Sequence, residues 1–238
     1  MYCPKCRREI ETLGALVIKG GYFGDIVYKM CDYCREKLTH ELDAYIKTQV
    51  PNTKLRDGVA LMLEGLQELY PKLEITDDMK ETPERVARMF AELCAGLQSD
   101  PKQILSVTYP APCPPSLIVS KKIDYVSLCR HHLAIILGEV FIGYIPNEKI
   151  VGLSKLARLV ECFTKRPQLQ EEITNQISDA MEQYLVPQGV IVVVSGQHGC
   201  MTTRGISKKD AVTVTSAVRG VFLTNTAGCK DEFFNLIR

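Results

Sequence analysis

Hydrophobic spacing divides the chain into helical and extended stretches. Apolar residues recur at helical period through 35–47 (Leu38, Leu42, Tyr45, Ile46), through 59–70, and through 82–97 (Val86, Phe90, Leu93, Leu97). Thr82 followed by Pro83 reads as an N-cap and a first helical residue. Pro51-Asn52 interrupts the pattern and marks a boundary, and the proline-rich stretch 110–115 is a connector that is neither helix nor central strand. Beyond it, strands are predicted at 117–126, 137–145, 190–195 and 211–223. Between the second and third lie two helical stretches, 150–163 through Leu153, Leu156, Val160 and Phe163, and 168–185 through Leu169, Ile173, Ile177, Met181 and Leu185. Residues 232–237 predict a short terminal helix. This order predicts an α+β fold, an antiparallel sheet with helices on one face. The predicted organisation is a small unit at 1–50, a helical segment and connector at 51–115, and a sheet domain at 116–238.

Composition narrows the function classes. With 238 residues, 46% of them hydrophobic, and a formal net charge of +1, the chain has the make-up of an ordinary globular protein. That charge implies no strongly basic face, so nucleic acid is not the expected partner. The opening residues lack the apolar core of a signal peptide, and the longest apolar runs are too short to span a bilayer. A cytoplasmic protein is expected, and its ten cysteines are then read as thiols or metal ligands. Cys3-Pro-Lys-Cys6 and Cys31-Asp-Tyr-Cys34 form two C-x2-C pairs, and four thiolates close a tetrahedral structural zinc site. Apolar stretches at 15–18 and 26–28 around Gly20-Gly21 predict a hairpin between the pairs, as in a zinc ribbon. A redox pair or an incidental cysteine cluster is the alternative. His40, within the helix that follows, reads as a surface residue.

The richest chemistry lies in Ser127-Leu-Cys-Arg-His-His-Leu133 and Gln197-His-Gly-Cys-Met201. Three of the four histidines in the chain fall in these two runs, and each run also carries a cysteine. Two thiolates and one imidazole suit zinc, and three protein ligands leave a fourth position for water, the composition of a catalytic site. The bland alternative is that Cys129 and Cys200 are buried small hydrophobes. Ser154, Lys155 and Arg158 share the opening turns of a predicted helix; they form either an oxyanion or phosphate site or a solvated helix face.

Residues from about 55 to 238 resemble the GTP cyclohydrolase I family, zinc enzymes that open pterin biosynthesis. The matching stretches are Glu81-Thr-Pro-Glu-Arg-Val-Ala87, Ser127-Leu-Cys-Arg-His-His132, Gly143-Tyr-Ile-Pro146, Gly152-Leu-Ser-Lys-Leu-Ala-Arg158, Arg166-Pro-Gln-Leu-Gln-Glu171 and His198-Gly-Cys-Met-Thr-Thr-Arg-Gly205. The resemblance implies the tunnelling fold, a homodecamer with active sites at subunit interfaces, and hydrolysis of GTP to 7,8-dihydroneopterin triphosphate and formate. It implies Cys129, His132 and Cys200 as ligands of a catalytic zinc ion, with His131 and His198 moving protons and Ser154 near the sugar hydroxyls. It also implies Gln170 and Glu171 as the guanine anchor, because a carboxylate accepts from the N1–H and the exocyclic amine that guanine presents and adenine lacks. By the same resemblance Ser154, Lys155, Arg158 and Arg204 hold triphosphate and ribose, and Arg85 joins the pocket from a neighbouring subunit.

Arg130 departs from the family, which usually has an acidic residue between the zinc cysteine and the first histidine; Ser195 and Gln197 also replace more usual flanks. A cation there is expected to alter the field around a metal dication, by acidifying water, recruiting a phosphate or weakening the site. Two alternatives follow. One is a divergent paralogue acting on another purine nucleotide or stopping at a ring-opened intermediate. The other is a non-catalytic module that binds nucleic acid or protein through the zinc ribbon.

Overall fold

A computed structural model describes residues 14–18, 26–30 and 53–238, of the first two stretches and of residue 53 the backbone only. Cys3, Cys6, Cys31 and Cys34, and the helix expected at 35–47, lie outside the described residues. The chain divides into two compact units, residues 1–88 and 89–238.

In the first unit, β1 (Gly14–Ile18) and β2 (Ile26–Met30) pair antiparallel from Gly14↔Met30 to Ile18↔Ile26, where the sequence predicts a hairpin. Helix α1 (Thr53–Leu69) begins earlier than its apolar stripe suggested, and α2 (Thr82–Leu93) begins at the Thr-Pro pair. Arg85 and Glu81 form an i,i+4 ion pair at 2.7 Å on its first turn.

The second unit continues with a 3₁₀ turn at Ala95–Gln98 rather than the unbroken helix expected to 97. Then come α3 (Pro101–Ile104), β3 (Thr108–Pro110), β4 (Ile118–Cys129), β5 (Ile135–Ile145), β6 (Lys149–Val151), α4 (Leu153–Thr164), β7 (Pro167–Gln168), α5 (Gln170–Leu185), β8 (Gly189–His198), α6 (Gly199–Thr202), β9 (Thr213–Gly220) and α7 (Cys229–Ile237). The main sheet has the order β7-β4-β5-β8-β9; β7 runs parallel to β4 and every other pairing is antiparallel. Residues 150 and 151, expected as the start of a helix, are extended instead because β6 pairs with β3.

The core follows from the pleat of β8. Val190, Val192 and Val194 face one way, onto Ile173, Ile177 and Met181 of α5 and Leu156, Leu159 and Val160 of α4. Burying each such aliphatic side chain contributes about 1.5–3 kcal/mol. Ile191 and Val193 face the other way, into a second cluster with Phe222, Cys229 and Phe233. Helices therefore do not all lie on one face, as the sequence suggested. The two long ones cover one side, and α7 covers part of the other, because the unbroken apolar run of β8 is buried on both faces. Gly96 lets the 3₁₀ turn lie against α4: a Cβ there would meet the Cys162 carbonyl oxygen at 2.6 Å. Among the described residues no helix is long and apolar enough to cross a membrane.

Candidate metal and nucleotide site

Strand β5 is the spine of the site. Its start pairs with the end of β4 (Leu128↔Ile135) and with the end of β8 (Ile136↔His198), so the two chemistry-bearing runs finish side by side. After β4 the chain makes a tight turn. The Leu133 N–H donates to the Cys129 carbonyl and the Cys129 N–H to the Ala134 carbonyl, both at 2.8 Å. That turn lifts His131 and His132 into the open, their ring centroids 6.2 Å apart. After β8 the chain enters α6, which carries Cys200. Gly199 is needed at the junction, since a Cβ there would meet the Ile135 carbonyl oxygen at 2.7 Å.

Cys129 Sγ, a His132 ring nitrogen and Cys200 Sγ lie within 4.8 Å of one another. Cys129 Sγ is 3.7 Å from His132 Nδ1. Tetrahedral zinc with S and N bonds of about 2.3 and 2.05 Å requires an S···N separation of about 3.6 Å, so the donor set fits the ion. The Cys200 thiol is pushed up by burial and by the Cys129 sulfur beside it. Two sulfurs in contact resist a second negative charge until a cation joins them. Cys129 is buried, Cys200 half-buried and His132 exposed, which leaves one side open to solvent.

The start of α5 reaches the same place through β7. Cys129 pairs with Gln168, and the Arg130 N–H donates to the Gln168 carbonyl at 3.3 Å. Gln170 follows and is 1% exposed. Its Nε2 donates to the carbonyls of Val194 at 3.0 Å and Thr213 at 2.9 Å. Two carbonyl acceptors identify that end of the amide as the NH2. Oε1 must then accept, and it lies 2.8 Å from His198 Nε2. The His198 proton accordingly sits on Nε2, and Nδ1 keeps its lone pair. Burial lowers the His198 pKa, a shift that Glu171 partly offsets, so the neutral ring is favoured. Gly196 makes room for this arrangement: a Cβ there would stand 2.5 Å from both Gln170 Oε1 and the Tyr125 hydroxyl. Tyr125 is buried, and burial raises its pKa.

Glu171 is exposed beside Gln170. Ser154 and Arg158 are exposed on α4 and Lys155 is half-buried there. Arg158 lines a cleft of about 190 Å³ with Gly96, Glu161 and Lys165. Arg204 is exposed beyond α6, and Arg85 belongs to the first unit, where it pairs with Glu81. The structure thus brings Cys129, His132 and Cys200 together and links His198 to Gln170. Sequence reasoning missed two participants. Gly196 gave no signal beyond being a glycine within a strand. Glu172 gave only an opposite charge to Arg130, a long way along the chain.

Comparison with known proteins gives a consistent answer. A family model described as GTP cyclohydrolase I matches residues 60–238. The GTP cyclohydrolase 1 of Clostridium perfringens is 43% identical over 188 residues, 79% of this chain and 98% of the relative. That of Halalkalibacterium halodurans is 43% identical over 192 residues, 80% of this chain and 99% of the relative. That of Pelotomaculum thermopropionicum is 46% identical over 186 residues, 78% of this chain and 96% of the relative. The residues before 60, with the four N-terminal cysteines, lie outside the family match.

Proposed function

The chain belongs to the GTP cyclohydrolase I family, and from that membership we propose that it converts GTP and water to 7,8-dihydroneopterin triphosphate and formate in a zinc-dependent reaction. The observation that carries this reading is the convergence of Cys129, His132 and Cys200 within 4.8 Å. Zinc held there would supply the Lewis acidity that makes water a nucleophile near neutral pH.

The chain's own residues do the rest. Glu171 accepts from the N1–H and exocyclic amine of the guanine, and so selects GTP over ATP. Gln170, at the same helix start, serves the base subsite through the ring it holds, since its amide is already engaged by Val194, Thr213 and His198. Water adds at C8 of the base. His198, with its Nδ1 lone pair free, takes a proton as the bond to water forms. His131 gives and takes protons as the ring opens and formate leaves. Ser154 lies near the sugar hydroxyls during the rearrangement that precedes closure of the new ring. Lys155, Arg158 and Arg204 hold the triphosphate, with Arg85 added from a neighbouring subunit of a homodecamer. Cys3, Cys6, Cys31 and Cys34 hold a second, structural zinc ion in a ribbon. The protein works in the cytoplasm.

Among the described residues the geometry favours no different substrate. The feature that pointed that way was a cation at Arg130, and its guanidinium is engaged by Glu172. A nucleotide panel assayed for formate release and pterin fluorescence tests the proposal. GTP should give both products and ATP neither. Formate without a fluorescent pterin, or turnover of ATP in preference to GTP, would overturn it.

A further inference from the structure

Arg130 stands between a proposed metal ligand and the two histidines of the turn, where a free cation would oppose a metal ion. Its charge is not free. Nη1 donates to Glu172 Oε1 at 2.9 Å and Nη2 donates to Glu172 Oε2, a two-pronged pair. Nη2 also reaches Gln168 Oε1 at 3.4 Å, and the Arg130 N–H holds the Gln168 carbonyl. Gln168 Nε2 in turn donates to Gln176 Oε1 at 2.6 Å, on the second turn of α5. Arg130 is thus tied at both side chain and backbone to the segment that leads into α5.

Glu172 directly follows Glu171. The first turn of α5 carries both carboxylates, and Arg130 takes Glu172 rather than Glu171, the proposed base anchor. We propose that Arg130 and Glu172 form a clasp that positions the Cys129–His132 turn against the start of α5 and keeps the guanidinium away from Glu171. The clasp rests on the roles proposed above for the turn and for Glu171. It makes Arg130 and Glu172 positioning residues that act through the metal ligands and the base anchor. A long-range ion pair of this kind needs only opposite signs, so it works in either orientation. An exposed pair contributes little to overall stability, and here its effect falls on the alignment of two short segments.

Charge exchange tests the clasp. R130E, E172R and the double variant R130E/E172R are compared with the parent in steady-state kinetics and in the rate at which zinc passes to a chromogenic chelator. A C200A protein corrects for zinc released from elsewhere in the chain. Each single variant should lose roughly tenfold in kcat/KM and release zinc several-fold faster, and the double variant should return to within about threefold of the parent on both measures. E172Q, which frees Arg130 to pair with Glu171, should raise KM for GTP with little change in kcat. Single variants equal to the parent, or a double variant no better than the singles, would overturn the clasp. A parent that does not turn over GTP overturns the proposed function instead, and the zinc-release comparison still decides whether the two charges are coupled.

Discussion

Replacing Gln170 with methionine keeps side-chain length and removes every polar contact of the amide. Four groups lose a contact: the carbonyls of Val194 and Thr213, the Thr215 hydroxyl, which keeps Thr174, and Nε2–H of His198. A buried polar group left without a partner costs about 1–3 kcal/mol. The low end applies to His198, which is half-buried, and to the two carbonyls, which lie within paired strands, so a total of about 3–4 kcal/mol is expected. For a chain of this length that lowers Tm by roughly 6–16 °C, at about 2–4 °C per kcal/mol. The catalytic effect is separate. Without Oε1 to accept from Nε2–H, the ring loses both its orientation and its preference for a lone pair on Nδ1. Misplacing a general base costs about 10²–10⁴ in rate. The decisive assay is kcat for formate release in Gln170→Met, His198→Ala and the double variant, each measured well below its own Tm. If Gln170 acts through the imidazole, the double variant should be no slower than His198→Ala alone. If Gln170 touches guanine directly, its loss should raise KM further in the His198→Ala background. Additive losses in kcat would refute the assignment of Gln170 to His198.

The remaining expectations follow from neighbouring residues. Gly196→Ala places a Cβ 2.5 Å from both Gln170 Oε1 and the Tyr125 hydroxyl; it should cost about 1–3 kcal/mol and reproduce part of the Gln170→Met rate loss. A Gly196→Ala protein with parental Tm and kcat would show that the crowding is relieved without cost. Glu171→Ala should raise KM for GTP and cut the preference for GTP over ATP by more than tenfold; unchanged preference in the nucleotide panel would remove the base-anchor role. Cys200→Ala should lower zinc content by one equivalent per chain in metal analysis and abolish turnover. Zinc content equal to that of the parent would separate Cys200 from the metal.

The sequence made the second unit legible where a stretch buries one periodic face. The stripe of Ile173, Ile177 and Met181 and the five-residue apolar run of β8 lie buried where their periods put them. It failed where a partner far along the chain overrides local pattern. Residues 150 and 151 read as helix because Leu153 and Leu156 follow in helical register. They are strand because Thr108–Pro110 offers an edge to pair with. The terminal helix was assigned to the wrong layer for a related reason. Its local pattern predicted a helix at 232–237 but not the face of β8 that Phe233 packs against.

The site divides in the same way, and the division has a physical cause. The two candidate ligand runs were readable because a metal selects donor atoms, and cysteine and histidine are rare enough to stand out as clusters, while the choice of His132 among three histidines came from the family resemblance. Their convergence depends on β5 pairing with both β4 and β8, a matter of register that no local stretch encodes. Beyond the ligands, the residues that hold the chemistry in place are ordinary ones: a glutamine, a glycine, a glutamate. The family resemblance made Gln170 a base contact together with Glu171, yet its amide faces inward, toward two carbonyls and a ring nitrogen. Arg130 stood out as a cation where the family usually has an acidic residue, yet its counter-charge arrives with α5. Both are explained by one feature, the parallel pairing of Cys129 with Gln168. That short contact brings the first turn of α5 to the metal turn. Once it is there, Gln170 lies beside His198 and Glu172 beside Arg130. Disturbing β7 should therefore perturb proton transfer and metal retention together, although neither of its residues is a ligand or a base.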